Sequence, residues 1–164
     1  MGKGGEDPGD SRSFALEVPP DADQVRTARL FASAVARHFG VDEDRVEDLK
    51  VAISEATTNS INAHRKAAIA DPIRIAAASA GEGVRFSVID VGPGFPTENM
   101  LADARSEVTP AHGFFEGSLG LILIRTLFPG VEITENADRG MTVTFLLETE
   151  SQEAVSSGEV FGLG

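Results

Sequence analysis

Six apolar residues, Val25, Ala28, Phe31, Ala32, Val35 and Phe39, recur at the three- and four-residue spacing of a helix. The spacing predicts one helix with a single buried face, capped by Asp21 and stopped at Gly40. A second stripe, Val46, Leu49, Ile53, Ala56 and Ile61, predicts a longer helix that begins at Asp42 or Asp44 and reaches residue 68. Alternation of period two marks residues 13–18, 73–78 and 84–90 as strands. Pro19-Pro20 ends the first, Asp71-Pro72 precedes the second, and Gly81-Glu82-Gly83 joins the second and third in a hairpin. Residues 92–117 hold no sustained period and read as a long loop, a feature that is commonly functional inside a compact domain. Residues 118–127 form an apolar helix stopped by Pro129-Gly130, and 131–135 pairs with 141–148 about Asp138-Arg139-Gly140.

The order is therefore β, α, α, β, β, long loop, α, β, β. Strands joined by hairpins imply a mostly antiparallel mixed sheet. Three amphipathic helices covering one face give a two-layer α/β sandwich. One domain over residues 13–148 accounts for the whole pattern. Residues 1–12 and 149–164, rich in Gly, Ser and acids, read as a disordered N-terminal tail and a flexible C-terminal tail.

Charge changes this picture in one respect. The 164 residues carry 14 Lys and Arg against 26 Asp and Glu, a net charge of -12. That excess argues against a general phosphate-backbone surface, and so against direct nucleic-acid binding. It favours a partner with a basic surface. Cysteine is absent, which excludes disulfides and thiolate metal sites and fits a reducing cytoplasm. No apolar leader opens the chain, and the longest apolar run, 119–128, is about half a membrane span and contains Arg125. No membrane association is expected. His38, His64 and His112 lack ligand spacing for zinc, and no Gly-x-Ser-x-Gly elbow occurs. His64, near the end of the second helix, reads as a cation favoured by the helix dipole.

Three short segments carry candidate chemistry. In Ser54-Glu55-Ala56-Thr57-Thr58-Asn59, Glu55, Asn59 and Asn62 fall at i, i+4 and i+7, along one helical stripe. A carboxamide oxygen suits Mg²⁺, and a carboxylate can take a proton from an attacking hydroxyl. Any single Glu-x-x-x-Asn is more often a solvated helix face. In Asp90-Val91-Gly92-Pro93-Gly94, an acceptor-only Asp ends a strand beside two glycines, where it can receive an exocyclic amine such as adenine's. Alone, this is an ordinary Asp-x-Gly turn. In Gly117-Ser118-Leu119-Gly120, a glycine turn opens a helix whose free N–H groups favour phosphate. A hinge with a serine cap is the plainer reading. Thr142 and Thr144 alternate with Val143 and Phe145 on the last strand; one hydroxyl can serve a buried base, or both simply reflect β-propensity.

Together, in this order, the segments resemble the N-box and the two glycine boxes of the GHKL ATPase superfamily, whose Bergerat fold is the histidine-kinase-like ATPase sandwich. Within it the chain looks most like the anti-sigma factor serine/threonine kinases of the RsbW and SpoIIAB type, over roughly residues 13–148. The resemblance implies Glu55 as general base and Asn59 as the Mg²⁺ ligand, with Asn62 beside them. It implies Asp90 on the adenine amino group, with Gly92 and Gly94 shaping the base pocket. Gly117, Ser118, Leu119 and Gly120 would follow the phosphates, and Thr142 would match a late-strand threonine that supports adenine. Residues 95–116 would be the ATP lid, with Arg105, its only Lys or Arg, on the γ-phosphate. Two departures stand out. Ser118 replaces a common glycine, and His64 lies nine residues beyond Glu55, where relatives commonly have a His at eight.

The resemblance further implies an ATP- and Mg²⁺-dependent protein serine/threonine kinase. It would phosphorylate a STAS-type anti-sigma factor antagonist, sequester a sigma factor, and act as a cytoplasmic homodimer. The alternative is a binding module of the same fold that uses ATP only to set its shape. A hydrolase of the gyrase or repair type is disfavoured, since those proteins follow this fold with transducer domains.

Overall fold

The computed structural model describes residues 12–93 and 118–149. Its elements are β1 (Ser13–Val18), α1 (Gln24–His38), α2 (Glu43–Lys66), β2 (Ile73–Ala80), β3 (Gly83–Ile89), α3 (Ser118–Leu127), β4 (Glu132–Glu135) and β5 (Met141–Glu148). Each follows the expected order. The long loop falls on residues 94–117 and the two tails on 1–11 and 150–164, outside the described residues. The residues flanking the outermost strands are tied to the sheet. Ser79 N–H donates to the Arg12 carbonyl at 3.0 Å, and Thr149 N–H donates to the Glu82 carbonyl at 3.2 Å.

The sheet runs β1-β2-β3-β5-β4, and every ladder among the described strands is antiparallel. The sheet expected to be mostly antiparallel is so at each of these ladders. One face is apolar throughout. Val18, Ile73, Ile75, Ala77, Val84, Phe86, Val88, Met141, Val143, Phe145 and Leu147 are all buried. The period of two makes this unavoidable once the register is set, and a one-residue slip would turn each of them outward.

All three helices cover this layer, with α2 between α1 and α3. Val46, Leu49, Ile53 and Ile61 on α2 are at most 2% exposed. Each contributes roughly 1.5–3 kcal/mol by burial. That outweighs the cost of about 1–3 kcal/mol for Thr57, whose hydroxyl is buried without a hydrogen-bond partner. Asp42, one of the two expected caps, accepts the Asp44 N–H at 2.9 Å. Helix α1 starts later than expected. Asp21 takes the Gln24 N–H on its carbonyl, and Asp23 is the cap residue without a side-chain bond. Gly40 has φ +76°, the left-handed C-terminal stop its position predicted. Beyond it, Arg37 bonds Glu43 through Nε at 2.9 Å, a pair that holds the exposed Glu43 carboxyl below its usual range.

Helix α3 is pinned at its far end. Arg45 Nη1 donates to the Leu127 carbonyl at 3.2 Å and to Asp48 at 2.6 Å, and its guanidinium lies 4.5 Å from the Phe128 ring centre. Phe128 in turn packs edge-on against Phe145 at 5.2 Å. The opposite, N-terminal end of α3 is thereby held against the middle of α2.

Two outcomes follow. Thr57→Val keeps the shape and removes an unpartnered hydroxyl, so stability should be unchanged or rise by up to about 1 kcal/mol in urea denaturation. Gly140 has φ +96°, and an added Cβ would come within 2.6 Å of Val91 Cα and collide with the Asp90 carbonyl. Gly140→Ala should cost more than about 2 kcal/mol in the same measurement, because both backbone strain and overlap must be relieved.

Candidate nucleotide site

The buried stripe of α2 faces the sheet, which turns the Glu55–Asn59 stripe toward α3. Asn59 is 5% exposed, and its Nδ2 has no hydrogen-bond partner. Gly120, in the first turn of α3, lies against both side chains. A Cβ there would stand 2.5 Å from Glu55 Oε2 and 3.5 Å from Asn59 Nδ2. Glu55, Asn59 and Gly120 therefore meet, and a side chain at Gly120 would have to displace the Glu55 carboxylate. The amide orientation of Asn59 is an assignment, so the carboxamide can present either its nitrogen or its oxygen to that space.

Asn62 is half-buried one turn further along α2. Leu119 is 64% exposed, so its side chain points away from Glu55 and Asn59. Ser118 opens α3, whose first N–H groups lack intrahelical acceptors. Gly94, Arg105 and Gly117 lie outside the described residues.

Asp90, just past β3, is 3% exposed. Three donors meet its carboxylate. Ser60 Oγ donates to Oδ2 at 2.7 Å, and the N–H groups of Gly92 and Met141 donate to Oδ1 at 2.9 and 3.3 Å. A carboxylate offers about four lone-pair directions, so one on Oδ2 stays open to a further donor. The backbone of Asp90 is held as well. Its N–H donates to the Met141 carbonyl at 3.0 Å, and its carbonyl accepts from Asn136 Nδ2 at 3.1 Å. Gly92 is buried, and a Cβ there would press on Ala63 Cβ and His64 Cδ2 at 3.2 Å. A cavity of about 650 Å³ borders this glycine loop, walled by Val91, Gly92, Pro93 and the 135–140 hairpin.

Thr142 does not join Asp90's carboxylate. It pairs with Ile89 and Thr134 on the sheet face away from the helices, out of phase with buried Met141 and Val143. Its hydroxyl donates to Asn136 Oδ1 at 2.6 Å, so it reaches only the Asp90 backbone, through Asn136. Met141 is the residue that turns toward the carboxylate. The alternation through Val143 and Phe145 already contained this phase. Thr144 pairs with Ser87 at 3.2 Å, an ordinary cross-strand contact.

Ser60, His64 and Asn136 contact the Asp90 turn, and reading the sequence did not single them out for it. Ser60 and His64 carry a signal in retrospect. They continue the buried phase of Ile53, Ala56 and Ile61, where a polar residue must find a partner. His64, near the helix end where its position suggested an interaction with the dipole, is fully buried and bonded to backbone on both ring nitrogens. Asn136 follows a short edge strand and has no such signal. Among the described residues no three His, Asp or Glu gather as a metal site, and no helix is long and apolar enough to cross a membrane.

Comparison with known proteins places this fold in a family. The family model of the histidine kinase-like ATPase domain matches residues 18–147. The serine-protein kinase RsbW of Bacillus cereus is 31% identical over 149 residues, covering 87% of this chain and 89% of that one. The serine-protein kinase RsbW of Oceanobacillus iheyensis is 32% identical over 120 residues, covering 72% and 76%. A crystal structure of the RsbU and RsbW domains of a Mycobacterium tuberculosis protein shares the fold, with a TM-score of 0.59 at 23% identity, over 84% of this chain and 32% of that one. The chain belongs to the histidine kinase-like ATPase domain family, in its branch of RsbW-type serine-protein kinases.

Proposed function

We propose that this chain is an ATP-dependent protein serine/threonine kinase that acts as an anti-sigma factor. It phosphorylates a STAS-type antagonist protein and, when that antagonist is phosphorylated and released, holds a sigma factor, working as a cytoplasmic homodimer. The observation that carries the reading is the meeting of Glu55 and the unpartnered Asn59 over Gly120 at the start of α3. This supports a proton acceptor, a hard oxygen ligand and the N–H groups of a helix's first turn acting around one small volume, the set that phosphoryl transfer requires.

Each residue then has a stated part. Asp90 accepts the adenine amino group on its open Oδ2 direction. The first turn of α3 offers its N–H groups to phosphate oxygens. Glu55 orients the substrate serine hydroxyl and takes its proton. Asn59 would hold Mg²⁺ through its carboxamide oxygen; with no hydrogen-bond partner on Nδ2, the amide can turn that oxygen toward the ion. When bound with ATP, Mg²⁺ supplies charge neutralisation at the phosphates. The RsbW relatives, named as serine-protein kinases, support the choice of serine as acceptor.

Two substitutions test the reading. Glu55→Gln should retain ATP binding in calorimetry and lose roughly 10²–10⁴-fold in transfer of ³²P from ATP to an antagonist protein, the usual worth of a general base. Normal transfer by this variant would remove Glu55 from the role. Asp90→Asn places an amide among donors that need an acceptor. ATP affinity should fall about tenfold or more, since a hydrogen bond to a charged group contributes about 1.5–3 kcal/mol. Unchanged affinity would show that adenine is bound elsewhere.

A further inference from the structure

We propose that His64 is a positioning residue for the nucleotide pocket. It fixes the Asp90–Gly92 turn against α2 by accepting the Val91 N–H. The inference rests on Asp90 as the adenine acceptor and adds what holds Asp90 in place from the helix layer.

The imidazole is 0% exposed, and both of its nitrogens are used on backbone. Nε2 lies 3.2 Å from the Val91 nitrogen, and Nδ1 lies 3.2 Å from the Asp71 carbonyl oxygen. A backbone N–H can only donate and a carbonyl can only accept. Nε2 is therefore the bare nitrogen, and Nδ1 carries the proton and donates it to Asp71. The neutral ring in that one tautomer satisfies both contacts. One side chain thus ties the end of α2 to the segment entering β2 and to the turn leaving β3.

The turn is otherwise held from the strand side. Met141 and Asn136 bond the Asp90 backbone from β5 and the residue after β4. From the helix layer, Ser60 reaches the Asp90 side chain and His64 reaches the next peptide. His64 Cδ2 also lies where a Cβ on Gly92 would press at 3.2 Å, so the ring forms one wall of the glycine turn. Val91 sits between the adenine acceptor and that glycine. Its N–H fixes the orientation of the peptide, and hence the direction of the open Asp90 Oδ2. Glu55, Asn59 and Gly120 meet more than a helical turn away. Loss of the ring's acceptor should therefore loosen the base pocket and leave the phosphate end in place.

Calorimetry of ATP with Mg²⁺ on wild type, His64→Leu and His64→Gln tests this, each at a temperature where a thermal melt shows it folded. Leucine fills the volume without an acceptor, while glutamine restores both an acceptor and a donor. His64→Leu should bind ATP about tenfold or more weakly, the scale of one lost buried partner. His64→Gln should recover most of that loss. If leucine binds ATP as wild type does, or glutamine binds no better than leucine, the role is wrong and His64 is only a packed core residue. A wild-type protein that binds no ATP overturns the pocket reading itself, and this inference with it. Should His64→Leu not fold, a long-range ¹H–¹⁵N spectrum of the wild type decides. It should show Nδ1 protonated and Nε2 bare, and the opposite tautomer overturns the proposal.

Discussion

A carboxylate taken out of water must be surrounded by donors, and the architecture here depends on meeting that demand at Asp90. Its three donors come from three places: the middle of α2, the turn after β3, and the first residue of β5. An unmet charge at this depth would cost several kcal/mol, a large part of the net stability of a domain of this size. The helix position, the turn and the sheet register are consequently coupled. A slip of β5 by one residue would withdraw the Met141 N–H and turn Val143 and Phe145 out of the core. Gly140 belongs to the same constraint, because no side chain fits where the hairpin crosses the Asp90 carbonyl.

Helix α2 serves two directions at once. Adjacent residues on a helix point about 100° apart, so Asn59 faces α3 while Ser60 faces Asp90. Glu55 and Asn59 lie on the first face; Ser60 and His64 lie in the buried phase with Ile53 and Ile61. Arg45, at the start of the same helix, pins the C-terminal end of α3 and so sets where its N-terminal turn falls. The Asp90 end and the Glu55–Gly120 end of the site are in this way built on one rigid element. A kinase of this family needs that arrangement, since phosphoryl transfer is mostly a matter of placement.

Three residues show what periodicity omits. Thr142 matched a motif by position, yet strand phase places Met141 toward the carboxylate and Thr142 on the opposite face. His64 was legible as polar within an apolar stripe, but nothing local says which backbone groups it meets. Asp21 has the composition of a cap, while the turn over residues 21–23 moves the helix start to Gln24.

The chain by itself determined the elements, their order and the buried face of each, because apolar spacing of 3.6 or 2 is a local property that burial enforces. It also presented Glu55, Asn59, Asp90 and Gly120 as residues suited to a nucleotide. Only the tertiary structure decided that Glu55 and Asn59 close on Gly120, that Ser60 and Met141 satisfy Asp90, and that His64 grips Val91. Those contacts join residues 30, 51 and 27 positions apart for Ser60–Asp90, Asp90–Met141 and His64–Val91. Partners so distant along the chain are chosen by how the layers stack and leave no periodic trace in the sequence.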